Sequence, residues 1–189
     1  MIRIALVGDV GSGKSYISRL FDYPIFNADN EVSNIYKKDK KCFKKLKYIL
    51  PNYFHRFPLK KQNLISAILD NKKNLKKITN IVHPIIKKKL HNFENLHKKS
   101  RFIILDIPLF LENKLNKKRD VIIFIKSDKK EILKYLKKRK GYNANLIKIF
   151  RKIQFPLEKK RKKSKYVIKN DFTKKNAKKY VNVIMSYIK

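Results

Sequence analysis

Residues Gly8-Asp9-Val10-Gly11-Ser12-Gly13-Lys14-Ser15 fit the spacing G-x-x-x-x-G-K-[S/T], and the apolar run from Ile2 to Val7 ahead of them reads as a buried strand. That combination is suited to phosphate. Glycines let successive backbone N–H groups turn inward around a polyphosphate, and a helix opening at Lys14 adds the positive end of its dipole. In the segment from Gly8 to Tyr16, Lys14 is placed to reach the β- and γ-phosphates and the Ser15 hydroxyl to ligate Mg²⁺. A Gly-rich turn between a strand and a helix is the alternative, but it does not account for the full spacing. The sequence predicts a nucleoside triphosphate site, with ATP and Mg²⁺ as the expected co-substrate and ion.

The elements that must position this loop follow from the hydrophobic pattern. Continuous apolar runs at Ile2 to Val7, Pro24 to Asn27, Arg101 to Ile107, Val121 to Ile125 and Tyr166 to Ile168 read as strands covered on both faces. Helical spacing falls between them, at Ser15 to Phe21, Asp29 to Lys37, Asp128 to Arg139 and, as one long basic helix, Ala144 to Lys163. The stretch from Lys40 to Lys99 contains no strand and reads as several helices broken at Pro51, Pro58 and Pro84. The expected fold is therefore α/β, a mostly parallel five-stranded sheet between helical layers. A core of about residues 1–38 and 101–189 would carry a helical insertion over about 39–100 and a lid over about 137–150.

The chain has 189 residues, enough for one α/β core with an inserted subdomain, and a formal charge of +36 from 50 Lys plus Arg against 14 Asp plus Glu. Such a charge ordinarily points to nucleic acid or an anionic membrane. Here the excess is mostly Lys spread over nearly every helix, alongside heavy use of Asn, Ile, Tyr and Phe. That set is better explained by A- and T-rich codons than by a binding face. A basic surface still steers anionic substrates toward a site. Cys42 is the single cysteine, which rules out an intramolecular disulfide and a cysteine metal cluster and suits a reducing cytosol. His91 and His97 are six apart and do not share a helical face as a ligand pair. There is no signal-peptide pattern and no apolar run near about 18 residues, so the expectation is a cytoplasmic protein without membrane spans.

Beyond the loop, several segments in order resemble the dephospho-coenzyme A kinase family. Phe26-Asn27-Ala28-Asp29 is similar to its Asp-Ala-Asp motif, Ile81-Val82-His83-Pro84-Ile85-Ile86 to its Ile-x-His-Pro segment, and Leu105-Asp106-Ile107-Pro108-Leu109-Phe110-Leu111-Glu112 to its Pro-Leu-Leu-x-Glu stretch. Gln154-Phe155-Pro156-Leu157-Glu158-Lys159-Lys160-Arg161 and Tyr166-Val167-Ile168-Lys169-Asn170 resemble its Gln-containing helix and final strand. The resemblance runs from Met1 to about Asp171. It implies a nucleoside-monophosphate-kinase-like fold and transfer of the γ-phosphoryl group of ATP to the ribose 3′-hydroxyl of dephospho-coenzyme A. Other small-molecule P-loop kinases, including nucleotide and shikimate-type kinases, would leave the His-Pro and Pro-Leu segments unexplained. A basic nucleic-acid-associated ATP-binding protein would lack support from any stacking, zinc or helix-turn-helix signature.

Site residues follow on those terms. Asp29 matches the second Asp of the family motif and is expected to take the acceptor hydroxyl's proton; otherwise it N-caps the helix that follows. Asp106 ends an apolar strand, where it either holds Mg²⁺ as a Walker-B-like acid or caps the turn at Pro108. Pro108 and Leu109 would shape the acceptor cleft and the start of a following helix, with Glu112 either on the surface of that helix or part of the acceptor site. His83 is an acceptor-binding candidate or an ordinary helix-start residue, and Arg139 a lid arginine over the phosphates or plain surface charge, with Gly141 allowing a hinge. Asn170 would bond the adenine edge or simply end its strand. Asp9 stands where the family usually has Gly, Asn27 where it has Asp, and Ser33 and Tyr135 where Arg is expected. A carboxylate at Asp9 repels phosphate unless it points outward or toward a donor.

Overall fold

The five apolar runs form one sheet in which every pairing is parallel. β1 (Ile2–Gly8), β2 (Ile25–Asn27), β3 (Phe102–Asp106), β4 (Val121–Lys126) and β5 (Tyr166–Lys169) lie in the order β2-β3-β1-β4-β5. Parallel neighbours need crossovers, and helices packed on both faces explain why the strands show no polar alternation. Arg3 is the exception in β1. It is buried, donates from Nε to Asp120 Oδ1 at 2.8 Å and from Nη2 to the Leu115 carbonyl at 2.7 Å. The computed structural model describes residues 1–139 and 141–188; Lys140, within the expected lid, lies outside them.

On one face of the sheet, Ile4, Leu6, Ile104, Ile123 and Ile125 pack against Ile17 of α1 (Lys14–Ser18), Phe21 of the 3₁₀ turn after it, and Ala177, Val181 and Ile184 of α9 (Lys174–Tyr187). Complete burial of each large aliphatic side chain is worth about 1.5–3 kcal/mol. Helix α9 carries no strong signal among the C-terminal lysines, and its three inward residues come from helical spacing that the sequence reading passed over. Between β4 and β5 lie α6 (Lys129–Lys137), α7 (Ala144–Lys152) and α8 (Leu157–Lys162). The single helix expected over Ala144 to Lys163 is thus two. Pro156 stands immediately before α8 as its N-cap with an extended ψ of 141°, and Pro there disfavours helical geometry in the residue before it. After β3, residues 108–114 make successive turns, with Leu109, Phe110 and Leu111 carbonyls accepting from Asn113, Leu115 and Lys114, so no helix starts at Pro108.

The chain divides into two compact units, Met1–Asn27 with His97–Lys189, and Ala28–Leu96. The second is helical, built from α2 (Ala28–Lys38), α3 (Lys40–Ile49), α4 (Lys61–Asp70) and α5 (Lys73–Leu96). Asp39 caps α3 by accepting from the Cys42 N–H at 2.8 Å. Burial, then the Asp39 charge, pushes the Cys42 thiol up to about 11, which leaves it protonated and unreactive at neutral pH. No helix among the described residues is long and apolar enough to cross a membrane.

Pro84 does not end a helix as the sequence suggested; it lies inside α5. The missing N–H and the clash with the carbonyl one turn back cost about 3 kcal/mol in a helix interior. The stripe Ile78, Val82, Ile86 and Leu90, buried on both sides of the proline, outweighs that cost. Pro84→Ala should therefore raise the stability of the protein by about 1–3 kcal/mol, read as an increased urea midpoint. A lowered midpoint would mean that α5 is fitted to the proline-induced geometry.

Candidate active site

The carboxyl edge of the sheet gathers the polar residues. β1 runs directly into the phosphate loop, and α1 opens at Lys14 with Gly13 as its N-cap in the left-handed region, φ 88°. In a trans peptide the C=O of one residue points opposite to the N–H of the next. The Ser12 carbonyl accepts from Ser127 Oγ at 3.0 Å and from Asn170 Nδ2 at 2.9 Å, which turns the Gly13 N–H the other way. A Cβ on Gly13 would collide with that Asn170 amide, and one on Gly11 would sit 2.7 Å from Leu136 Cγ, so both positions require glycine for space as well as for φ. Ser12 Oγ is buried and has no hydrogen-bond partner.

Lys14 is buried, with Nζ 2.7 Å from the Asp9 carbonyl and 3.4 Å from that of Gly8. A second ammonium reaches the same Gly8 oxygen. Lys160 of α8, 1% exposed, lies 3.4 Å from it, 3.0 Å from Gln154 Oε1 and 2.9 Å from Glu112 Oε1. Glu112 also accepts the Phe155 N–H at 2.8 Å. Glu112 is therefore no surface residue. It ties the turns after β3 to α8, and through Lys160 to the first residue of the loop. The sequence reading missed Lys160 because nothing local separates one lysine from the many around it.

Asp9 points toward a donor. Its carboxylate receives Arg151 of α7 through two bonds, Nε to Oδ1 at 3.1 Å and Nη2 to Oδ2 at 2.9 Å, and Oδ1 also accepts the Val10 N–H at 2.7 Å.

Asp106 is the last residue of β3, 2% exposed, paired in register with Asn27 of β2, whose amide donates to Asp106 Oδ2 at 2.5 Å. Asn27 thus supplies a neutral donor where a second carboxylate would repel Asp106. Asn170, expected at an adenine edge, is 3% exposed and directs its amide at the Ser12 carbonyl while its Oδ1 accepts the Phe172 N–H at 3.0 Å. Its side chain braces the phosphate loop. Tyr135 stacks on Phe172 with ring centroids 4.2 Å apart, and Phe172 also neighbours Gly13. Arg139 is exposed at the end of α6, and Pro108 and Leu109 are half-buried in the turns after β3.

In the helical unit, α2 starts at Ala28, so Asp29 sits inside its first turn, exposed, rather than capping it. A carboxylate there is favoured by the helix dipole. His83 is half-buried in α5; burial, then the Lys87 charge, holds its pKa below the ordinary 6.5, so it is neutral at pH 7.

The sequence model of the family described as Dephospho-CoA kinase matches residues 2–176. A dephospho-CoA kinase of Jannaschia sp. (strain CCS1) is 28% identical over 171 residues, covering 89% of this chain and 88% of the relative. The fold is similar to that of the Thermus thermophilus protein TT1252, with a TM-score of 0.79 at 21% identity over 100% of this chain and 98% of the other. A dephospho-CoA kinase from Campylobacter jejuni superposes with a TM-score of 0.62 at 23% identity over 98% and 96% of the two chains.

The buried Lys160–Glu112 pair makes a stability prediction. Removing one partner strands the other's charge in the interior, so Lys160→Met alone should cost about 3–5 kcal/mol in urea unfolding. Lys160→Met combined with Glu112→Gln should recover most of that loss, and equal losses in the single and double variants would contradict the pairing.

Proposed function

Because the chain belongs to the dephospho-coenzyme A kinase family, it phosphorylates the ribose 3′-hydroxyl of dephospho-coenzyme A with ATP, the last step of coenzyme A biosynthesis, and we propose how its residues divide that work. The observation that carries the assignment is the braced phosphate loop, its Ser12 and Gly8 carbonyls held from outside by Asn170, Ser127 and Lys160. With the Ser12 carbonyl tied back, the Gly13 amide is turned toward the side on which the phosphates of ATP would sit, and Lys14 exchanges its loop carbonyls for phosphate oxygens. Phosphoryl transfer needs positioning and charge neutralisation more than covalent chemistry.

Ser15 and Asp106 would hold Mg²⁺, an ion that withdraws charge from the phosphates when bound. A hydroxyl and a carboxylate are hard oxygen donors, and Mg²⁺ characteristically takes one or two protein ligands and completes its shell with phosphates and water. Among the described residues no cluster of three or more His, Cys, Asp or Glu forms a cage for a different metal. In the transfer itself, the acceptor oxygen bonds to the γ-phosphorus, the bond to the β–γ bridging oxygen breaks to release ADP, and Asp29 takes the proton of the hydroxyl. Its exposure and its place in the first turn of α2 support that role. His83, Pro108 and Leu109 are proposed to line the acceptor side, and Arg139 to belong to the lid that excludes water. The reading carries a cytoplasmic location with it, in keeping with a single buried thiol.

Two variants test the division of labour in an ADP-release assay. Lys14→Ala should nearly abolish turnover. Asp29→Asn should lower kcat by about 10²–10⁴-fold while Mg-ATP binding stays close to wild type. If Asp29→Asn lowered only the melting temperature, Asp29 would be a helix-dipole residue and the proton would go elsewhere.

A further inference from the structure

A carboxylate at the second position of a phosphate loop works against the ligand the loop is built for, since at short range in a protein its repulsion of a triphosphate is substantial. Asp9 occupies that position, and its partner is 142 residues away in sequence. The Arg151 guanidinium meets it with two parallel bonds of 3.1 and 2.9 Å, a fork geometry that Lys does not provide. The Asp9 side chain is 13% exposed and that of Arg151 44%, so the carboxylate is the more enclosed member and the arginine covers it.

We propose that Asp9 and Arg151 act as one electrically neutral positioning unit of the donor site. Arg151 cancels the carboxylate's charge beside the bound triphosphate, and Asp9 in return anchors α7 at the mouth of the phosphate loop. The proposal rests on the reading of that loop as the ATP site. Two further observations support it. Asp9 Oδ1 also holds the Val10 N–H at 2.7 Å, so the carboxylate fixes the loop backbone at the same time as it fixes the helix. Helix α7 fully buries only Ile149, with Leu146, Ile147 and Phe150 half-buried, and the ion pair adds a polar tie between that helix and the loop. Neither side chain is required to touch the nucleotide, so Arg151 is a positioning residue whose need arises from Asp9.

That dependence has a sign that a double-mutant cycle reads directly. Asn at position 9 removes the charge but keeps an oxygen for the Val10 N–H. Mg-ATP affinity would be measured by titration calorimetry on the full chain for wild type, Arg151→Ala, Asp9→Asn and the double variant, with a thermal melt of each to separate binding from folding. Arg151→Ala should weaken Mg-ATP binding about tenfold, because it leaves the carboxylate uncompensated, and the double variant should return to within about threefold of wild type. The loss in Arg151→Ala should also shrink as salt rises. A double variant as weak as Arg151→Ala would overturn the proposal and make Arg151 a direct phosphate ligand. An Arg151→Ala variant that binds like wild type would overturn it too, reducing the pair to a surface contact. No acceptor is needed, so a chain that bound Mg-ATP and followed this cycle without phosphorylating dephospho-coenzyme A would refute the assigned reaction and leave the pair standing.

Discussion

A peptide plane turns its N–H to one side only if its carbonyl is held to the other, and the phosphate loop of this protein depends on that constraint. The Ser12 carbonyl is held by Ser127 and Asn170, and the Gly8 carbonyl by Lys14 and Lys160. The braces arrive from elements far apart in sequence because the parallel register brings their ends together. β4 pairs with β1 through Gly8 opposite Ile125, and β5 pairs with β4 through Lys169 opposite Lys126, which leaves Ser127 and Asn170 just past the ends of neighbouring strands. Three of the four glycines in the chain lie in this loop, where the Ile125 carbonyl, Leu136 and Asn170 crowd the space that side chains at Gly8, Gly11 and Gly13 would need.

The two edges of the sheet show how a chain with so few acids uses them. Asp120 answers buried Arg3, Glu112 answers buried Lys160, and Asp9 answers Arg151. The first two compensate cations that would otherwise be stranded in the interior, where an unpaired charge costs several kcal/mol. The third compensates in the opposite direction, a cation shielding a carboxylate. The remaining lysines are spread over exposed helix faces, where they favour the approach of anionic substrates at low salt.

Much of this architecture was legible because its signals are local. The loop spacing, the five apolar runs and the helical, strand-free character of the stretch from Lys40 onward follow from patterns within a few residues. What was missed required knowledge of distant partners. Lys160 differs from its neighbours only in facing Glu112 and Gly8, and Asp9 became explicable only with Arg151 beside it. Asn170 is singled out only by its resemblance to the family's final-strand Asn, and its bond to the Ser12 carbonyl has no local signal. Pro84 misled in the other direction: its local propensity to end a helix was real, and tertiary burial along α5 overrode it. Helix α9 escaped notice because three inward residues are a faint stripe among lysines.

The most direct test of the whole account is to incubate the wild-type protein with Mg-ATP and dephospho-coenzyme A, with adenosine, shikimate and no acceptor as controls, following ADP release and identifying the product by mass. The account predicts ADP release that depends on dephospho-coenzyme A, with stoichiometric gain of one phosphate to give coenzyme A. ADP release indifferent to the acceptor, or a phosphate on one of the other acceptors in its place, would contradict it.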